Sequence, residues 1–449
     1  LEIAMTERLI IVGGVAAGMS AAAKARRENK QLDIVVYEKS GHVSYGACGL
    51  PYFIKGDVPR IEKIIVRTPE QFAKSNIQVN VCHEVLDVDP EQQTVQVRNL
   101  ETGQEFTDHW DKLILTTGGM AAKPPIPGLD LPGILTLRTV EDALTIWNWI
   151  EQKNPKHAVI VGGGYIGLEM AEALVERGLQ VDIIEMLPQV MPNMDADMAA
   201  YVVPELERHQ VGLHLEHKVE AFAGNGQVRE VITNAGRFPA DMVIFSIGAK
   251  PNNALAAAMG LELGPTGAIV VDDHQRTNMP NVWAAGDVAQ AINRINGKPT
   301  YVPLGTTANK QGRVAGTNAA GGEAIFKGIV GTAVVKVFDL HAARTGLSEV
   351  QAKAEGYEVE TTLVTSASQA HFMPEHTPLH VKLVYEKGSQ QLLGAQMIGQ
   401  EGIKRIDTIA AALQAGWTTY DLGELDLAYA PPFSPVWDPV LVAANVANK

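Results

Sequence analysis

Cys48 stands in a loop of small residues, Ser44-Tyr45-Gly46-Ala47-Cys48-Gly49-Leu50-Pro51-Tyr52. A thiol at a helix N-terminus has a lowered pKa and reacts as the thiolate. That is the chemistry expected of Cys48. The alternative is a buried, inert thiol, the commonest state of a free cysteine. The other cysteine, Cys82, ends the strand-like Ile77-Gln78-Val79-Asn80-Val81-Cys82 and reads as structural.

Two glycine turns carry a second kind of chemistry. The first is Gly13-Gly14-Val15-Ala16-Ala17-Gly18 and the second is Gly162-Gly163-Gly164-Tyr165-Ile166-Gly167. Glycines between a strand and a helix let a pyrophosphate approach the backbone N–H groups of the helix N-terminus. The second turn satisfies the full G-x-G-x-x-G pattern; the first has Val15 at the central glycine, so an ordinary strand–helix turn stays open there. Each is followed about 20 residues on by a carboxylate, Glu38 or Glu185, suited to a ribose diol. Glu185 repels a 2′-phosphate, and no Arg or Lys follows it in Met186-Leu187-Pro188-Gln189, so NADH is preferred over NADPH. A further small-residue turn, Ala284-Ala285-Gly286-Asp287, suits either close ligand approach or a plain strand end.

These groups need elements to position them. Residues 8–12 form a continuous apolar run, as in a strand buried on both faces, and 19–28 are rich in helix formers. A second strand is expected over 33–38. The pattern returns with a strand at 157–161, a helix at 168–177 and a strand at 181–185. Strands at 112–115 and 242–245 each lead into a Gly/Pro loop, and 287–305 reads as loop. From about residue 325 alternating runs such as 379–385 predict antiparallel strands, followed by a helix over 402–415. The proline-rich stretch Tyr429-Ala430-Pro431-Pro432-Phe433-Ser434-Pro435 excludes regular structure. Trp147 and Trp149 read as packing residues of an amphipathic helix. Arg26 and Arg27 end the first helix, where cations suit its dipole. His371, His376 and His380 lack the spacing of a metal site, and no metal is expected.

Composition bounds the classes. At 449 residues, two or three domains are expected. Two cysteines rule out a disulfide scaffold and a four-cysteine metal site. A net charge of −14 without a basic block argues against nucleic acid. No apolar run reaches the roughly 20 residues of a membrane span. The N-terminus lacks a signal-peptide pattern, and the residues before Met5 read as a remnant ahead of a native start. The expectation is a protein of the reducing cytoplasm.

Together these motifs resemble the pyridine nucleotide–disulfide oxidoreductases along essentially the whole chain. The single-cysteine branch is most similar: coenzyme A disulfide reductases, NADH oxidases and persulfide reductases. Further residues carrying the resemblance are Val66-Arg67-Thr68-Pro69-Glu70 and the segments 303–312 and 427–439. It implies an α/β fold of two Rossmann-like dinucleotide-binding domains, for FAD and NAD, with a C-terminal α+β dimerisation domain. The implied FAD domain is discontinuous, 5–115 and 250–324; the NADH domain is 116–249 and the dimerisation domain 325–449. FAD would be held by Gly13, Val15, Ala16, Ala17, Gly18, Glu38, Lys39, Thr116, Gly118 and Asp287. NADH would be held by Gly162, Gly164, Tyr165, Ile166, Gly167, Glu185 and Gly248. Arg27, Ser44 and Arg67 would bind coenzyme A, and Tyr429 would reach the other subunit's active site as a proton donor in a homodimer.

Departures refine this. Two-cysteine relatives place the second thiol where this chain has Phe53, so oxidising equivalents must reside on Cys48 alone, as a mixed disulfide or a sulfenic acid. Ala16 replaces a histidine of NADH peroxidases and many oxidases. Ala47 replaces an asparagine of some coenzyme A disulfide reductases, and Phe372-Met373 a Tyr-Tyr pair of many. The implied reaction is NADH-dependent reduction of coenzyme A disulfide or a related small disulfide. The alternatives are an NADH oxidase acting on O₂, a persulfide or polysulfide reductase, and a redox-sensing or electron-transfer flavoprotein without thiol chemistry.

Overall fold

A computed structural model describes residues 7–449; Met5 and the residues before it lie outside the described residues. The apolar run Arg8–Val12 is the central strand of a five-stranded parallel sheet. Its order is Val282–Ala284, Lys112–Leu115, Arg8–Val12, Asp33–Tyr37, Ile77–Asn80. Leu9, Ile10 and Ile11 are fully buried because both faces of this strand are covered. The helices Ala16–Glu28 and Gly305–Ala319 cross on one face, and Ala17, Ala21, Ala308 and Ala315 keep them close.

The second glycine unit builds a matching parallel sheet, ordered Gly212–His214, Gln180–Ile184, His157–Val161, Met242–Phe245, Ile134–Leu135. A short antiparallel pair, Gly119–Ala121 with Ala249–Pro251, joins the two units where the chain leaves the first sheet and returns to it. The last third forms a five-stranded antiparallel sheet, ordered Ala333–Val337, Leu340–Gly346, Leu392–Gly399, Pro378–Glu386, Val359–Ala367. Ile406–Ala415 and Pro439–Ala447 pack on it through Ile409, Leu413, Val440 and Ala444.

Several bounds differ from the sequence reading. Both glycine-turn helices start three residues earlier than expected, at Ala16 and Tyr165, so Gly18 and Gly167 lie inside their first turns. The strand expected over 77–82 ends at Asn80. Cys82 sits at positive φ where the chain bends toward the antiparallel strand His83–Asp89, its N–H bonded to Ser40 O at 2.9 Å. The 287–305 loop contains a small hairpin, Ala291–Ile292 with Pro299–Thr300. The helix expected from residue 402 opens as a 3₁₀ turn, because Gly402 is left-handed at φ 80°.

Candidate active site

The two glycine turns face one long cleft of about 1810 Å³. This exceeds the roughly 300–1,000 Å³ of a single small-ligand pocket. The turns are built alike. A methyl on Gly18 would lie 1.9 Å from Gly13 O, and one on Gly167 2.0 Å from Gly162 O, so only glycine permits these helix–strand junctions. Glu38 accepts the N–H groups of Gly14 (2.6 Å) and Ser40 (2.8 Å). Glu185 accepts those of Gly163 (2.7 Å) and Leu187 (2.8 Å). Each buried carboxylate fixes its turn and keeps lone pairs at the cleft for a ribose hydroxyl.

At the first turn the cleft runs past Gly13, Val15, Ala16, Ala17, Thr116, Gly118 and Asp287. Asp287 is largely enclosed. Burial pushes its carboxyl up, and the Arg138 guanidinium, 3.1 Å away, pulls it back. Tyr301 lines the same wall; its buried hydroxyl has no hydrogen-bond partner within the chain. Burial, then the Asp287 charge, pushes that phenol up to about 12, so it keeps its proton. These residues fit a flavin dinucleotide. At the second turn Gly162, Gly164, Tyr165, Ile166, Glu185 and Gly248 line the cleft. His217 and Lys218 line it too, brought in because His217 N–H bonds Glu185 O at 2.9 Å. The local stretch after Glu185 lacks a cation, but the fold supplies Lys218 from the next strand connection.

Cys48 lines the same cleft as the two turns. It occupies a 3₁₀ turn, Ala47–Gly49, that runs into the helix Leu50–Lys55, and it is exposed to the cleft. The expected lowering of its pKa is not what the protein chain supplies. Burial pushes the thiol up, and the carboxylates of Glu169 and Asp287 push it further; only a backbone hydrogen bond opposes them. The turn is too short for a strong dipole, and two negative groups face the sulfur across the cleft.

Other expected residues lie elsewhere. Lys39 pairs with Glu84 at 2.7 Å, outside the cleft lining. Ser44 is tied by its N–H to Gly14 O and by its carbonyl to Val66 N–H, and Arg67 stacks on Phe72 at 4.1 Å. Arg27 is exposed on the first helix, whereas Arg26 is consumed by the carbonyls of Asn29, Lys30, Leu32 and Asn76. Tyr429 is about half exposed and absent from its own chain's cleft. His380 bonds Thr365 and stacks on Tyr201, away from His371 and His376. Sequence reasoning did not single out Arg138, Tyr301, Lys218 or Glu169. For Glu169 a signal exists: Glu169 and Glu172 are one turn apart in a helix that is otherwise apolar as far as Val175.

Residues 7–312 match the pyridine nucleotide-disulphide oxidoreductase family, and residues 332–439 match its dimerisation domain. The chain belongs to this family. It is 40% identical to the NAD(P)H sulfur oxidoreductase (CoA-dependent) of Pyrococcus furiosus, over 98% of this chain and 99% of that protein. It is 34% identical to the coenzyme A disulfide reductase of Staphylococcus aureus (strain JH9), over 95% and 96%. The solved NAD-dependent persulfide reductase of A. fulgidus superposes with a TM-score of 0.95 at 39% identity, over 98% of this chain and 83% of that one. The protein is therefore an FAD-dependent, pyridine nucleotide-using oxidoreductase with a dimerisation domain. No helix among the described residues is long and apolar enough to cross a membrane.

Proposed function

We propose that this oxidoreductase uses NADH to reduce coenzyme A disulfide, or a related low-molecular-weight disulfide, through Cys48. The observation that carries the reading is the lone thiol in the cleft that both nucleotide turns line. Phe53, in the second-cysteine position, is buried and stacked on Trp147, so no neighbouring thiol can resolve an oxidised Cys48.

In this mechanism Cys48 Sγ attacks one sulfur of the disulfide. One coenzyme A thiolate leaves and a Cys48–S–S–CoA bond forms. When bound, FAD supplies the two-electron relay from NADH that returns this sulfur to thiolate with release of the second coenzyme A. Glu38, Asp287, Arg138 and Tyr301 hold the flavin dinucleotide; Glu185 and the Gly162–Gly167 turn hold NADH. Tyr429 of the partner subunit protonates the departing thiolate. Arg27, Ser44 and Arg67 serve the coenzyme A phosphates from outside the cleft.

The same reading divides the chain at 5–115 with 250–324, 116–249 and 325–449, and makes it a homodimer. The exposed Tyr429, Phe433, Val436 and Trp437 support a partner over that edge. Two unpaired cysteines support a reducing, cytoplasmic setting. A second reading, reduction of a coenzyme A persulfide or polysulfide, is favoured by the name of the Pyrococcus relative and by Phe372-Met373. The test is NADH consumption under argon with coenzyme A disulfide, wild type against Cys48→Ser. Turnover that depends on Cys48 supports the first reading. Flavin bleaching without turnover overturns it and moves the assay to persulfides.

A further inference from the structure

The helix Tyr165–Glu176 starts in the second glycine turn and carries Glu172 to a meeting point of three parts of the chain. Glu172 is 4% exposed. Its Oε1 accepts from Lys55 Nζ at 3.0 Å and from Lys336 Nζ at 2.6 Å, and its Oε2 accepts the Phe338 N–H at 2.8 Å. Lys55 ends the helix Leu50–Lys55, which runs directly out of the Cys48 turn. Lys336 and Phe338 belong to the hairpin of Ala333–Val337 and Leu340–Gly346, in the dimerisation domain. One carboxylate thus ties together the helix after Cys48, the helix of the second glycine turn and the dimerisation domain.

The hairpin tip is held at this point against its own preference. Val337 pairs with Leu340, so Phe338 and Asp339 alone make the turn. Such turns favour Asn-Gly because they need positive φ. Phe338 sits at φ 54°, a conformation that bulky side chains rarely adopt. Two contacts keep it there: its N–H on Glu172, and its ring stacked on His209 at 3.9 Å and 8° between planes. The Asp339 N–H is accepted by a second buried carboxylate, Glu205, at 2.9 Å. Lys55 and Lys336 meet at one oxygen of Glu172, and two ammonium groups this close repel unless the carboxylate stands between them. The other carboxylate partner of Lys55 is the exposed Asp57, at 3.1 Å.

We infer that Glu172 is a positioning residue for Cys48: through Lys55 it fixes the helix that follows the Cys48 turn against the second glycine unit and the docked hairpin. That helix is 6 residues long, under two turns, so a displacement of Lys55 carries to the turn at its other end. The dimerisation domain acts on the thiol by the same route, because Lys336 and the Phe338 N–H hold the carboxylate that holds Lys55. The inference rests on the reading that Cys48 is the sulfur the bound flavin reduces, and it does not depend on which disulfide is the substrate.

The test is a single turnover under argon on flavin-loaded protein whose Cys48 carries 2-nitro-5-thiobenzoate in a mixed disulfide, with Cys48→Ser reporting the Cys82 background. Added NADH gives up two electrons through the flavin. The S–S bond breaks, leaving the Cys48 thiolate, the coloured aromatic thiolate, NAD⁺ and a proton. Flavin bleaching by NADH, read on unlabelled protein, reports the nucleotide step alone. Glu172→Gln keeps the side chain's shape but cannot balance two ammonium groups. It should slow thiolate release at least about tenfold, the scale on which a reacting atom misplaced by up to about 1 Å loses rate, and leave bleaching unchanged. Lys336→Met, a change in the dimerisation domain, should slow release as well and add nothing in the Glu172→Gln background, because both act through one carboxylate. Unchanged release in Glu172→Gln overturns the inference. So does bleaching that slows by the same factor as release, which marks a general loosening, and so does full additivity of the two substitutions. If Glu172→Gln fails to fold, Lys336→Met decides on the same two rates. No release from wild type removes Cys48 as the flavin's partner and the inference with it, so the failure of that reading is told apart from failure at Glu172 alone.

Discussion

The Phe53 ring stacks on the Trp147 ring at 4.9 Å between centroids and 29° between planes. It joins the helix Leu50–Lys55, which follows the Cys48 turn, to the helix Val140–Lys153, and the Arg177 guanidinium lies over Trp147 at 4.4 Å. An aromatic anchor thus holds the reactive turn where two-cysteine relatives would carry their second thiol. Phe53→Ala should destabilise the protein by about 3 kcal/mol through lost burial and a cavity. A chemical denaturation midpoint that does not move would show that the stack carries no such load.

Flavin removal tests the origin of Cys48 reactivity. The chain alone raises the thiol by burial and by the Glu169 and Asp287 charges. In flavin-free protein Cys48 should therefore alkylate at pH 7 at least about threefold more slowly than a free cysteine of pKa about 8.5. Its rate should keep climbing beyond pH 9. Adding FAD back should accelerate it. Equal rates with and without flavin would place the activation in the chain itself.

What the sequence makes legible follows from how local each signal is. The glycine turns, Glu38 and Glu185 are readable because strand, turn, helix and acid follow each other within one βαβ unit. Glu172 is not readable as a junction, because Lys55 and Lys336 stand 117 and 164 residues away. Lys218 is missed for the same reason: it reaches the Glu185 end of the cleft from a later connection. For Cys48 the sequence identifies the residue but not the two carboxylates that oppose its ionisation in the chain alone, since neither is its neighbour in the sequence.

That distant lysine makes nucleotide choice testable. Glu185 favours NADH, whereas Lys218 in the same cleft offers a cation to a 2′-phosphate. Glu185→Ser should lower kcat/KM for NADH by about tenfold and raise that for NADPH, narrowing the preference by roughly two orders of magnitude. Adding Lys218→Ala should remove the NADPH gain. Steady-state kinetics with both nucleotides check this; an unchanged ratio in Glu185→Ser would remove the carboxylate from the discrimination.

Lys382 pins the last sheet to the NADH-binding unit. It is 2% exposed, and its Nζ lies 2.9 Å from Asp197, 2.9 Å from Glu349 and 3.2 Å from Asp195. Burial opposes its charge, but the hydrogen bonds it donates to Asp197 and Glu349, with the Asp195 charge, overcome this and raise its pKa. Lys382→Met should cost about 3 kcal/mol, because it strands the carboxylates. A raised lysine stabilises fully below its unfolded value, about 10.4, and that stability is lost as pH rises through the higher folded value. The gap between wild type and Lys382→Met in chemical denaturation should therefore be wide at pH 8 and shrink only at pH values above the roughly 10.4 of a free lysine.

Tyr429 provides the sharpest test of a shared site. It is 48% exposed on its own chain, lies outside that chain's cleft and sits among exposed Phe433, Val436 and Trp437. If it completes the cleft of a second copy, Tyr429→Phe should slow disulfide reduction by at least about tenfold, the scale of a lost general acid. Flavin bleaching by NADH, which needs no thiol, should continue. Cys48→Ser homodimers should be inactive for the same substrate. Mixed dimers made by unfolding and refolding the two variants together contain one site with both Cys48 and Tyr429 intact. Such dimers should recover close to half the wild-type activity per dimer. A mixture no more active than the Tyr429→Phe sample alone would mean that Tyr429 does not act across subunits and that each cleft works with its own residues.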